Sequence, residues 1–180
     1  MKSKIILFSA IAIIFLLSDR NMSGKSSRDF NVIPCPKSIE FSSGFFKAAG
    51  ADFHIAADAD ELTVKAVSEF AERLSFDSGK ESKKDRELRE TGFVFIKADG
   101  IFAKEEYEIE ISKKAVRVRA SGFEGFFYAI QTLKQMLPAA IFGTVPTPEA
   151  KWDYPAAKYQ TRPVSDTEQP SWMSAGIISA

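Results

Sequence analysis

One cysteine and one histidine stand in 180 residues. A single cysteine excludes an internal disulfide, a cysteine-rich zinc site and a C-x-x-C redox pair. A single histidine excludes a multi-histidine metal centre and the H-E-x-x-H helix of zinc proteases. Charge of one sign is missing too, since 24 Lys+Arg balance 24 Asp+Glu. A formal net charge of zero gives no general electrostatic grip, so nucleic acid is not expected as a partner. The length also falls short of a core plus a (β/α)8 barrel, which takes roughly 250 residues. No P-loop, G-x-G-x-x-G, G-x-S-x-G or D-x-D-x-D-G string occurs. What is plentiful is phenylalanine, 16 residues in a chain that is 45% hydrophobic. That is enough apolar mass for one domain with its own core.

Long hydrophobic runs are absent but for one. After Met1-Lys2-Ser3-Lys4 the chain is apolar from Ile5 to Leu17, broken only by Ser9. Basic residues followed by a short apolar stretch read as a secretory signal over residues 1–20. The stretch is shorter than the roughly 20 residues a membrane span needs. The protein is therefore expected to be exported, periplasmic or extracellular, with no integral span once the signal is removed. No good A-x-A cleavage site precedes Asp19, and no cysteine follows the run to support a lipid anchor. Export would leave Cys35 an odd cysteine in an oxidising compartment. Between Pro34 and Pro36 it reads as a small apolar residue.

Residues 21–30, rich in Ser, Asn, Lys and Arg, read as a linker. Val32 to Pro36 is extended, because each proline biases its predecessor away from helix. Two short β-like pieces flank Ser42-Ser43-Gly44, and Asp52 to Ala57 is a further strand candidate. Asp58 and Asp60 offer helix caps. Leu62, Ala66, Val67, Phe70, Ala71 and Leu74 follow at helical spacing, which predicts a helix from about Asp60 to Leu74. Asp77 to Glu90 is polar with both signs and reads as a solvated loop rather than a docking surface. Gly92 to Ala98 is a strand apolar enough to be central. Tyr107, Ile109 and Ile111 alternate with glutamates, and Val116, Val118 and Ala120 with arginines, so Ser112-Lys113-Lys114 turns a hairpin with one apolar face. Phe123, Phe126, Phe127, Ile130, Leu133 and Leu137 make a second helical stripe, stopped by Pro138. The pattern predicts an α+β domain, sandwich-like, with a small, mostly antiparallel sheet and two helices packed on one face.

Chemistry is scarce. His54 sits in a strand without a second histidine or a nearby nucleophile, and reads as structural. Glu108 and Glu110 suggest a carboxylate pair for acid–base work, but Arg117 and Arg119 face them, which favours a solvated charge ladder. Gly122 and Gly125 are too sparse for a phosphate loop and suit a tight junction between hairpin and helix. No catalytic, cofactor-binding or metal-binding residue is assigned, and no cofactor is expected.

The run from Gly125 to Leu137 (GFFYAIQTLKQML) is similar to the G-x-x-Y-A-x-Q-T-L-x-Q-L helix found in the N-terminal domain of bacterial β-N-acetylhexosaminidases, glycoside hydrolase family 20. Val32-Ile33-Pro34-Cys35-Pro36 resembles that family's opening I-I-P-x-P. Glu106 to Ile111 and Val116 to Ala120 resemble its hairpin, and Trp152-Asp153-Tyr154-Pro155 its W-x-x-P. The resemblance covers residues 31–157. It implies a non-catalytic accessory domain whose partner is a (β/α)8 barrel. In the family, an Asp-Glu pair in that barrel removes terminal N-acetylhexosamine, the substrate's acetamido oxygen attacking and the Glu serving as general acid. None of the barrel's motif residues is present. After Trp152 the family pattern I-x-D-x-P-R-F is replaced by Tyr159-Gln160-Thr161-Arg162-Pro163. A frame shifted from the third base of the Lys158 codon reads I-S-D-A-P-R-F with permitted codons. An aspartate further along that frame is forced by the single codons of Trp172 and Met173. A frameshifted, disordered tail over 158–180 is therefore expected, with Trp172 exposed rather than a sugar-stacking residue. The implied function is that of a truncated family-20 accessory domain, inactive alone. The alternative is a free-standing exported module that binds glycan or protein through a surface the barrel would cover.

Overall fold

Stretches of period two become strands and stretches of period 3.6 become helices, each burying its apolar face. A computed structural model describes Val32 and residues 36–161. The expected signal, linker, Cys35 and Trp172 lie outside them. Strand β1 (Ser38–Lys47) is followed by β2 (Phe53–Ile55), helix α1 (Glu61–Ser78), β3 (Lys84–Asp85) and β4 (Gly92–Lys97). Then come β5 (Tyr107–Ile111), β6 (Ala115–Ala120), helix α2 (Phe123–Gln135), a 3-10 turn (Ala139–Phe142) and β7 (Asp153–Gln160). The strands form one sheet in the order β1-β7-β5-β6-β4-β2-β3. Antiparallel pairings β1–β7, β7–β5 and β5–β6 hold the larger share of paired residues. Parallel pairings join β6, β4, β2 and β3. The two helices pack on each other and on the sheet, α1 against β2 and α2 against β5 and β6. The expected α+β class, with both helices on one face, is what forms.

The phenylalanines build the core between sheet and helices. Phe53 and Phe93 stack with ring centroids 4.4 Å apart. Phe70 of α1 meets them edge-on at 5.6 and 5.7 Å. Such edge and offset contacts add about 0.5–1.5 kcal/mol per pair beyond burial alone. Gly125 lets α2 approach the sheet. A Cβ there would lie 2.7 Å from the Glu106 carbonyl oxygen and 2.8 Å from the Ala120 Cβ.

Helix α1 starts where expected. Asp60 caps it, accepting from the Thr63 backbone N–H at 2.8 Å and the Thr63 hydroxyl at 2.9 Å. The helix runs past the expected end at Leu74 to Ser78, closed by Gly79 in the left-handed region at φ 65°. Asp77 and Ser78 were expected in a solvated loop, but both are buried. The reason is an ion pair one turn apart. Arg73 Nε lies 2.6 Å from Asp77 Oδ2, and Arg73 also donates to the Ala140 carbonyl at 3.3 Å. The pair ties α1 to the 3-10 turn. The same loop also contributes β3, which pairs with β2.

Two further outcomes concern the outer strands. The two β-like pieces around Ser42-Ser43-Gly44 are one strand interrupted by a bulge, with the register shift between Phe41 and Phe45. Strand β7 continues to Gln160, so Lys158, Tyr159 and Gln160, expected in a disordered tail, belong to the sheet. Lys158 and Gln160 reach Glu108, Tyr159 is fully buried, and the Thr161 hydroxyl donates to the Tyr107 carbonyl at 3.0 Å.

Candidate functional site

His54 is brought beside a residue that the sequence does not link to it. In the β2–β3 register His54 stands opposite Asp85, and His54 Nδ1 lies 2.8 Å from Asp85 Oδ1. The imidazole is 3% exposed. The hydrogen bond from His54 is the main reason the Asp85 carboxyl sits below its usual range. Arg89 adds a longer ion pair at 3.6 Å. An Asp-His pair orients an imidazole for base catalysis only where a nucleophile or a polarised water follows. No Ser or Cys hydroxyl or thiol hydrogen-bonds His54 among the described residues. The pair instead pins the two-residue strand β3 to the sheet.

The glutamates of the hairpin separate into two environments. Glu108 is not solvated as expected, because β7 lies alongside it. Its carboxylate accepts from the Gln160 amide at 2.9 Å and faces Lys158 Nζ at 3.0 Å and Arg119 Nη1 at 3.4 Å. Burial works against its ionisation, but these partners outweigh burial and hold its pKa below the usual value. Glu110 stays exposed. Its register neighbour Arg117 donates to the Glu90 carbonyl at 3.3 Å instead. One carboxylate is locked by cations and the other faces solvent, so the two do not form an acid–base pair. Gly122 is the α2 N-cap in extended backbone, and Gly125 serves the close packing of helix on sheet.

The helix stripe of α2 is also largely structural. The Tyr107 hydroxyl and the Thr132 hydroxyl share a short hydrogen bond, and burial raises the Tyr107 pKa. The Tyr154 hydroxyl donates to the Leu133 carbonyl at 3.1 Å. Phe127 and Tyr128, by contrast, turn outward, 41% and 38% exposed. With Phe123 they form a run of rings at 5.8 and 5.7 Å. Among the described residues no group of three or more His, Cys, Asp or Glu is placed to hold a metal ion. No helix among them is long and apolar enough to cross a membrane. An open cleft of about 410 Å³ lies at one end of the sheet, lined by Phe45, Lys47, Asp52, Gly92, Lys113 and Lys114. Sequence reasoning missed it because its lysines come from separate segments.

The fold has relatives of known structure. A β-N-acetylhexosaminidase from Streptomyces coelicolor A3(2) matches with a TM-score of 0.63 at 24% identity, over 74% of this chain and 26% of that one. A β-N-acetylhexosaminidase from Bacteroides fragilis matches at 0.54 and 22% identity, over 72% and 24%. An exo-β-N-acetylglucosaminidase from Vibrio harveyi matches at 0.55 and 19% identity, over 73% and 19%. The chain thus spans about a quarter or less of the length of these structures. No curated protein matches it. The sequence profile described as glycosyl hydrolase family 20, domain 2, matches residues 29–154. Since that match takes in most of the chain, the protein belongs to glycosyl hydrolase family 20 and carries its domain 2.

Proposed function

We propose that this domain is the non-catalytic accessory module of an exported family-20 β-N-acetylhexosaminidase, inactive alone, and that the enzyme's (β/α)8 barrel is its partner. The observation that carries the reading is the match of residues 29–154 to domain 2 of the family. The environments of His54, Glu108 and Glu110 support it, because each carries a structural partner or faces solvent singly. The outward rings of Phe127 and Tyr128 on α2 also support it. Contiguous exposed aromatics mark a surface that another body covers. The docking face is therefore assigned to α2. The test is binding of the full chain to a separately produced family-20 barrel. Binding weakened in the Phe127→Glu/Tyr128→Glu pair is expected, and unchanged binding would remove α2 from the interface. Export rests on the basic start and the apolar run from Ile5 to Leu17, and N-terminal sequencing of secreted protein checks it. The change of pattern near Lys158 is attributed to a shift of reading frame. An open barrel sequence in the shifted frame of the downstream DNA is the expected finding.

A further inference from the structure

Strands β2, β4 and β6 run parallel, so their first residues lie together at one end of the sheet. That end is basic. Lys47 closes β1 there, and Lys113 and Lys114 form the turn into β6. All three line the cleft of about 410 Å³, a volume within the roughly 300–1,000 Å³ of small-ligand sites. None of the three enters an ion pair among the described residues. The cleft's one carboxylate, on Asp52, accepts the Lys83 backbone N–H at 3.0 Å. Lys151 Nζ lies 5.0 Å from the centroid of the Phe45 ring, which lines the cleft. At the other end the same strands lead into Asp58, Asp60, Glu61 and Asp99, with Lys97 paired to Asp99 at 3.2 Å and Arg86 donating to the Ala59 carbonyl at 3.2 Å. The cleft itself carries three lysines against one carboxylate, and that local field draws anions to it.

The cleft is braced as well as charged. The lysine turn is closed by the Ser112 hydroxyl, which donates to the Ala115 carbonyl at 3.1 Å. Gly92 N–H donates to the Lys114 carbonyl at 3.0 Å. At φ 84° only glycine lets β4 begin there, because a Cβ would sit 2.4 Å from the Asp52 carbonyl oxygen. Across the cleft, the bulge glycine Gly44 leaves room for the Lys113 stem. A methyl group at 44 would lie 2.3 Å from Lys113 Cε. The lysine backbone positions are therefore fixed before any ligand arrives, which lowers the ordering cost of binding.

We infer that this cleft binds a saccharide bearing sulfate or carboxylate groups, its anion held by Lys47, Lys113 and Lys114 and its ring placed against Phe45. The anionic part stands on the lysines alone, and the saccharide part rests on the accessory-domain reading. The test is calorimetry on the full chain with three probes: a heparin tetrasaccharide, neutral chitotetraose and inorganic sulfate. Saturable binding of the tetrasaccharide is expected at low salt, weaker at high salt, with a ~10-fold loss for each lysine changed to glutamine. Chitotetraose and sulfate should bind at least ~10-fold more weakly, and Lys65→Gln on α1 should leave binding unchanged. The triple variant Lys47→Gln/Lys113→Gln/Lys114→Gln is read only if its thermal midpoint is unaltered; otherwise the three single variants decide. Full binding by these variants, no tetrasaccharide binding at low salt, or equal affinity for chitotetraose would overturn the inference. Sulfate binding as tightly as the tetrasaccharide would overturn its saccharide part. None of these outcomes bears on barrel binding or hydrolysis, which decide the accessory reading separately.

Discussion

At the scale of single residues, burial and partners separate what the side chains can do. Glu108 shows the sign of the effect. Its folded pKa is held below the unfolded value of about 4.3. The folded state therefore binds fewer protons there, and the carboxylate's stabilisation is complete above that unfolded value. It is lost as pH falls through the lower folded value. Glu108→Gln should lower stability most at neutral pH, where the carboxylate is ionised, and flatten the acid limb of a denaturation profile below about pH 4; an unchanged limb would assign acid lability elsewhere. Gly125→Ala is expected to cost about 1–3 kcal/mol through overpacking against Glu106 and Ala120, read by urea unfolding. The tight junction at Gly125 is legible in the sequence, whereas the Glu108 effect is not. Glu108 alternates with apolar residues like Glu110; β7 runs beside both, and the Lys158 and Gln160 side chains it brings go to Glu108.

At the scale of elements, local periodicity was a good guide and polarity a poor one. The cap at Asp60, the 107–120 hairpin and the stripe of α2 all follow from spacing, because each is decided by neighbours along the chain. The end of α1 is decided by Arg73 and Asp77, whose partners come from the 3-10 turn. Strand β3 owes its place to the Asp85–His54 contact. Charged letters in both segments read as solvent-facing until a distant partner is known. Arg73→Ala should leave the buried Asp77 carboxylate unpaired and cost about 1–3 kcal/mol. Hydrogen exchange should then rise first at the 3-10 turn and the last turn of α1. Uniform exchange across the sheet would show instead that the pair supports the whole domain. Asp85→Asn should raise exchange around Lys83 and Lys84 while β4 to β7 stay protected.

At the scale of the whole molecule, the fold explains why so little chemistry is visible. The sheet's helix-facing side is filled by apolar residues such as Phe53, Phe93, Phe95, Val116 and Val118, and on its other side Glu108 is held by Lys158, Arg119 and Gln160 while Glu110 faces solvent. The family motif on α2 divides accordingly. Gly125, Ala129, Thr132 and Leu133 serve the domain's own packing, whereas Phe127 and Tyr128 face outward. The motif was legible as a string, but its division into inward and outward residues needed the structure. So did the basic cleft, assembled from Lys47, Lys113 and Lys114. The central proposal is that this family-20 accessory domain is inactive alone. Release of p-nitrophenol from p-nitrophenyl N-acetyl-β-glucosaminide by the purified full chain tests it most directly. The account predicts a rate no higher than the buffer's, and turnover that rises in proportion to protein and survives repurification would contradict it.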